Sequence, residues 1–522
     1  MKNTSTKLPY TKGNAKMNYI PYTKGNTKMN YISTRGAEAQ GVSSAYAIKT
    51  GLASDGGLFM PESIPEIDLE FVKELSALTY PERAARVLSL FLTDYTYDEL
   101  LEDARAAYAE DKFIPTAAPV SKLDDGTYML ELWHGPTCAF KDMALQIMPR
   151  LFSRALKKTG ESREALILVA TSGDTGKAAL EGYRDVEGTK IKVFYPIDGV
   201  SRVQKLQMQT QEGKNVSVSG IVGNFDDAQT GVKKIFSDTE FAKELSDGGV
   251  FLSSANSINW GRLVPQIVYY ISAYCDMYKS GVIKLGDTID VCVPTGNFGN
   301  IFAGFIAKLM GLKIGRLVCA SNMNNVLTDF FKNGEYDKNR DFHATISPSM
   351  DILISSNLER LIYVLFGKEK CAEYMRKLAA DGKYQLSAEE FAEVKKHFVG
   401  YYTDEELCKA TVLDTYKNAD SLIDTHTAVA VHAAKEYASE YKSADKMLVV
   451  STASPYKFAA DVLLSVSGKR PDDDLMALEA LEKCTGVPIP SPLAAILSKT
   501  AIHKAVIDRD EMKDAVREFA LN

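Results

Sequence analysis

From about residue 115 onward the chain alternates short runs rich in Val and Ile with helical patterns of roughly ten to twenty residues. No other feature limits its possible folds as much. The runs are ALILVAT (165–171), KIKVFYP (190–196), NVSVSGIVG (215–223), TIDVCVPT (288–295), KIGRLVCAS (313–321) and MLVVSTAS (447–454). Strands alternating with helices point to βαβ units, and strands apolar on both faces point to parallel sheets covered on both sides. In open α/β sheets ligands bind beyond the carboxyl ends of strands. The turns that close these runs are therefore where chemistry is expected.

A length of 522 residues predicts two to four domains, at about 100–200 residues each. Residues 36–112 mix turns with apolar residues at helical spacing over 66–78 and 81–93. The polar stretch 332–345 reads as an exposed loop, and the charged stretch 379–420 as a solvated layer of helices. Ahead of all this, PYTKGNAKMNYI (9–20) recurs with one change as PYTKGNTKMNYI (21–32). Two copies of twelve residues cannot bury a core. Residues 1–28 are therefore expected to be a duplicated leader outside the fold, ahead of a start at Met29.

Hydrophobic residues make up 45% of the chain and charged residues 25%, which excludes disorder as the dominant state. A net charge of −7 argues against an extended nucleic-acid surface. The seven cysteines (138, 275, 292, 319, 371, 408 and 484) are odd in number and form no CxxC pair. Neither a disulfide framework nor a metal cluster is expected, and a reducing cytoplasm is the natural compartment. No run of signal-peptide character opens the chain, and none approaches the ~18 apolar residues of a membrane span.

Two glycine-rich turns stand between a strand and a helix. Gly296-Asn297-Phe298-Gly299-Asn300 follows DVCVPT and precedes IFAGFIAKLMG. Glycines let backbone N–H groups approach an anion, and the helix start adds partial positive charge, so the turn reads as a phosphate cup. It matches neither a P-loop nor GxGxxG. In Thr171-Ser172-Gly173-Asp174-Thr175, hydroxyls and amides either bind a second anion or cap the following helix. Lys141, in HGPTCAFKD (134–142), follows small and aromatic residues. A desolvated lysine has a lowered pKa and attacks carbonyl carbons, although most lysines are solvated surface groups. His134 has no partner at metal-ligand spacing and reads as a structural histidine.

The segments HGPTCAFKD, ATSGDTG, SSANSINWGR, PTGNFGN and DTHTAVA, in that order, resemble the threonine synthase family, as do YISTRG (31–36) and GLASDGGL (51–58). The resemblance spans residues 29–470. It implies an α/β fold of the pyridoxal-phosphate (PLP) fold-type II, tryptophan-synthase-β-like kind. Two lobes with mostly parallel sheets (113–470, the smaller about 150–260) would follow an N-terminal domain (29–112) and precede a helical C-terminal region (471–522). By the same resemblance Lys141 holds PLP, Gly296, Asn297, Phe298, Gly299 and Asn300 hold its phosphate, and Thr452 faces the pyridine nitrogen. Ser454 stands where the family's motif reads His in Thr-Ala-His-Pro.

The implied reaction converts O-phospho-L-homoserine and water into L-threonine and phosphate, by γ-elimination and β-addition of water. The substrate's carboxylate and phosphate require two further anion sites. Thr171, Ser172, Asp174 and Thr175 are candidates for the carboxylate. Asn256, Ser257, Asn259 and Arg262 are candidates for the phosphate, Arg262 supplying a guanidinium suited to bidentate oxygen contact. The alternative is a PLP-dependent dehydratase or phospholyase acting on another amino acid. A monomer or homodimer, with no nucleic-acid or membrane partner and no metal, is expected.

Overall fold

The computed structural model describes residues 20–21, 28–198, 200–443 and 445–522. Two sheets dominate it. Their strands, in chain order, are β1 (Val120–Lys122), β2 (Thr127–Glu131), β3 (Glu164–Ala170), β4 (Thr189–Pro196), β5 (Val216–Val222), β6 (Val250–Ser253), β7 (Ile289–Pro294), β8 (Ile314–Ser321), β9 (Phe398–Tyr402), β10 (Lys446–Ser451) and β11 (Val506–Asp508). The smaller sheet has the order β6-β3-β4-β5-β11 and is parallel throughout. The larger has the order β9-β8-β7-β10-β2-β1, and only its edge strand β1 is antiparallel. All six Val/Ile runs are strands, so the expected α/β fold with mostly parallel sheets is present.

The sheets share one large core whose spine is the helix Trp260–Lys279, with 17 of its 20 residues buried. A helix apolar on every side belongs inside. Residues 28–112 pack on this spine. Tyr31 and Phe91 lie 5.6 and 5.8 Å from the Trp260 ring, and Arg83 Nη1 lies 2.7 Å from Asp276 Oδ1. The helices Leu69–Ser76 and Tyr80–Phe91 occupy the segments with helical spacing.

Two expectations fail. Residues 379–420 are not simply an outer helical layer, because Phe398–Tyr402 joins β8 as a parallel strand with Phe398 and Val399 buried. Five strand residues between charged helices are too few to break the helical pattern. Within 332–345, Glu335–Asp337 pairs antiparallel with Lys383–Gln385, and the buried Tyr336 ring stacks on Tyr384 at 5.5 Å. One aromatic anchors an otherwise polar run. The repeated leader lies mostly outside the described residues, but Ile20–Pro21 runs parallel to Pro65–Glu66.

Candidate active site

The carboxyl ends of adjacent strands converge. Loops after β2, β7 and β10, neighbours in the larger sheet, carry Lys141, the glycine cup and Thr452. Loops after β3 and β6, neighbours in the smaller sheet, carry residues 171–175 and 254–262. Lys141 is held by backbone. Leu132 N–H donates to Ser451 O (3.0 Å), Phe140 N–H to Thr452 O (2.7 Å) and Ser454 N–H to Cys138 O (3.0 Å). Ala139 and Ala453 form an antiparallel bridge. Thr452 is thereby paired with Phe140, the residue before Lys141. Asp142 fixes the preceding turn by accepting the Thr137 N–H (2.8 Å) and Oγ1–H (2.7 Å). Burial raises the Asp142 carboxyl to about 6. Lys141 is 8% exposed. Burial pushes its ammonium toward the neutral amine; Arg262 and Lys457 push the same way, and Asp174 opposes.

Asp174 opens the helix Asp174–Tyr183 and is buried. Its Oδ1 lies 3.0 Å from Lys457 Nζ and accepts from Gln204 Nε2 at 2.8 Å. Its Oδ2 lies 3.5 Å from Lys141 Nζ and accepts from Ser349 Oγ at 3.4 Å. Burial alone would raise this carboxyl, but the two ammonium groups and the Gln204 amide outweigh it and hold it well below the usual carboxylate range. Asp174 is thus a counter-ion to two lysines. Thr171 is committed to the turn, its Oγ1 accepting from Gly173 N–H (3.0 Å) and Gly176 N–H (2.9 Å). Gly173 has φ 140°, and a Cβ there would run into the Gln204 amide. Ser172 is exposed and Thr175 half-buried.

At the cup, Phe298 adopts φ 63° and starts the helix Gly299–Leu309, its ring buried against Phe331 and Phe398. Among the described residues the N–H groups of Gly296 to Asn300 donate to no backbone oxygen. Asn300 Oδ1 accepts from the hydroxyls of Tyr269 (2.5 Å) and Tyr270 (2.6 Å), which leaves its buried Nδ2 without a partner. A Cβ on Gly296 would sit 2.9 Å from Ser349 O. Free amides and an orphaned amide donor at a helix start fit a bound phosphate.

The segment 349–360 joins every part. Ser349 Oγ accepts from Lys141 Nζ at 3.3 Å. Ser355 Oγ donates to Gly296 O (2.7 Å), and Asn357 donates to Asn297 O through N–H (3.1 Å) and Nδ2 (3.0 Å). Asn357 Nδ2 also reaches Ser257 Oγ at 3.2 Å. Arg360, fully buried, donates to Ile258 O (2.6 Å), Ser257 O (3.4 Å) and Phe59 O (3.2 Å), and to Asn357 Oδ1. Glu359 accepts both Arg35 Nε and Nη2 at 2.8 Å and Thr34 Oγ1 at 2.6 Å. The YISTRG segment therefore closes on the site from outside.

Within 254–262, Asn259 is occupied. Its Nδ2 donates to Ile48 O (2.8 Å) and its Oδ1 caps Gly261 N–H (2.8 Å). Asn256 is exposed, and Ser257 half-buried. Arg262 is different. It is 6% exposed, donates to Ala255 O at 2.8 Å, and has no carboxylate partner among the described residues. Burial pulls its guanidinium down to about 10. A buried, unpaired cation is costly unless an anion arrives.

Sequence reasoning missed Lys457, Gln204, Ser349, Asn357 and Arg360, which reach the site over long sequence separations; Lys141 and Ser349, for instance, are 208 residues apart. It also missed His426 inside DTHTAVA, whose Nε2 accepts the Ser349 N–H (3.1 Å) while Nδ1 meets Asp424 Oδ2 (2.8 Å). Ser454 caps the turn after β10, accepting from Tyr456 N–H at 3.3 Å. His134 meets Glu131 Oε2 at 2.7 Å and stacks on Trp133.

A buried lysine beside a phosphate-fitting cup, at the strand ends of two facing α/β lobes, defines a PLP-dependent enzyme. The family model for pyridoxal-phosphate dependent enzymes matches residues 121–453. Those for the threonine synthase N terminus and C-terminal region match residues 30–108 and 427–511. Threonine synthase of Pseudomonas aeruginosa is 39% identical over 486 residues, 90% of this chain and 98% of that one. The solved PLP-bound threonine synthase of Brucella melitensis superposes with a TM-score of 0.84 at 34% identity, over 95% of this chain and 100% of that one. The chain belongs to the threonine synthase family. It is also 40% identical, over 436 residues (81% of the chain), to human threonine synthase-like 1, of whose length it spans 58%. Among the described residues no helix is long and apolar enough to cross a membrane.

Proposed function

We propose that the chain converts O-phospho-L-homoserine and water into L-threonine and phosphate. The observation that carries this reading is Arg262, a buried guanidinium without a carboxylate partner among the described residues, close enough to Lys141 to disfavour its charged form. A phosphorylated substrate supplies the missing anion, with Asn256 and Ser257 beside it. Ser172 and Thr175, together with free amides of the 171–175 turn, take the substrate carboxylate, and Asp174 acts on the lysines.

PLP, when bound, supplies an electron sink for negative charge beside the substrate amine. The residues of the cup, Gly296 to Asn300, would hold its phosphate, Thr452 would offer a neutral hydroxyl to its ring, and Lys141 would anchor it. Lys141 Nζ would serve as the base for the Cα proton and return protons along the same short path. Its burial favours the neutral amine that this role needs. Ser349 Oγ steadies Nζ, and His426 steadies Ser349 through the backbone.

The test is incubation with O-phospho-L-homoserine, measuring L-threonine against 2-oxobutyrate and free phosphate. Threonine and phosphate in equal amounts are expected. Release of 2-oxobutyrate, or turnover of a different phosphorylated amino acid alone, would replace this reading with the dehydratase or phospholyase one.

A further inference from the structure

One carboxylate serves two buried lysines at this site. Lys457 is 1% exposed and lies 3.0 Å from Asp174 Oδ1, with Gln207 Oε1 at 2.7 Å as its other partner. Lys141 lies at 3.5 Å from Asp174 Oδ2, at the limit of a hydrogen bond. The remaining contacts of Asp174, Gln204 and Ser349, are neutral. Other ionisable groups in electrostatic range are Arg262, which acts on Lys141, and Asp142, Lys177 and the buried Cys138 thiol, which interact with Lys457. Lys177 and Glu181, further along the same helix, pair with each other at 3.1 Å.

We infer that Lys457 is a positioning residue which, by engaging Asp174, keeps that carboxylate from fixing the proton on Lys141. The fields of the Asp174 carboxylate and the Lys457 ammonium superpose at Lys141 Nζ with opposite signs, so Lys457 offsets much of the pull of Asp174. The Asp174–Lys457 pair then presents Lys141 with a nearly neutral neighbour plus the Arg262 cation, which favours the free amine. Without Lys457, the Asp174 field at Lys141 would go unopposed from that side and hold Nζ as ammonium, unable to bond a carbonyl carbon. Without Asp174, Lys457 and Arg262 would together drive Lys141 further toward the amine. Removing both should restore the original balance. The sign of each change is thus set by the geometry, and a purely structural role for Lys457 predicts no such pattern. The inference rests on Lys141 being the PLP lysine and not on the identity of the substrate.

The experiment is a pH titration of the full-chain holoenzyme, following the visible absorbance of lysine-bonded PLP, with a thermal unfolding midpoint for each variant. Lys457→Met should raise the titration midpoint by about one pH unit, a tenfold gain in proton affinity. Asp174→Asn should lower it, Asp174→Asn/Lys457→Met should return it near wild type, and Lys457→Arg should leave it in place. An unmoved midpoint in Lys457→Met, or a double variant displaced as far as that single one, overturns the inference. If Lys457→Met does not fold, a lowered midpoint in Asp174→Asn with an unmoved one in Lys457→Arg supports it, and an unmoved Asp174→Asn overturns it. Absence of the visible band from the wild type, or its persistence in Lys141→Ala, would instead defeat the assignment of Lys141.

Discussion

The two sheets furnish the site with different chemistry. The larger sheet brings Lys141, the cup, Thr452 and Lys457 on loops after three adjacent strands, and all but the cup's free amides are tied down by backbone pairing or deep burial. The smaller sheet brings two loops after adjacent strands, and on them sit Asp174, exposed or half-exposed hydroxyls and amides, and the unpaired Arg262. The Lys141 side is preorganised, whereas the Arg262 side keeps open polar groups that an anion would complete. The charges cross over: the larger sheet's lysines are neutralised by a carboxylate from the smaller, so the ion pairs also hold the lobes together.

This contrast can be broken first at its strongest point. Lys141→Ala should abolish the visible absorbance and lower kcat at least about 10^3-fold, within the range proton-transfer groups supply. Asp174→Ala leaves the buried Lys457 ammonium without its carboxylate and should destabilise the protein by about 3–5 kcal/mol in denaturant unfolding. The sign with pH follows from the lowered Asp174 carboxyl. Its stabilisation is fully present above the unfolded value near pH ~4 and is lost as pH falls toward the folded one, so the variant should lose that part of the acid sensitivity. Arg262→Met, on the substrate side, should lower kcat/KM by about 10- to 100-fold through KM, matching about 1.5–3 kcal/mol for hydrogen bonds to a charged group, with the visible band retained. His426→Ala, which frees one Ser349 N–H, should cost about fivefold in kcat/KM, equivalent to about 1 kcal/mol. An Arg262 variant that loses PLP binding instead would erase the division between the two sides.

The sequence made the sheet interiors legible because buried parallel strands are continuous Val/Ile runs. It hid the rims. Val120–Lys122, Phe398–Tyr402 and Val506–Asp508 are three to five residues long and lie at sheet edges beside charged or polar chain, where no pattern has room to repeat. In the candidate site, turns whose chemistry is local could be read, since a glycine cup or a lone lysine announces itself within a few residues. Lys457 and the 349–360 segment could not, because their partners lie far away in the chain and their residue types are ordinary. The engagement of Asn259 Nδ2 was equally hidden, since its tether to Ile48 exists only once residues 28–112 have docked.

The last strand of the smaller sheet has a practical consequence. Val506–Asp508 covers Gly220–Val222 with a parallel ladder. A chain clipped by a protease anywhere between Pro492 and Ala505, and then stripped of its tail, would lose that cover and bare a row of N–H and C=O groups at the edge. Uncovered edges recruit strands from other molecules. Aggregation of aged or truncated preparations should therefore begin at this rim, while the catalytic face of the same molecules is still intact.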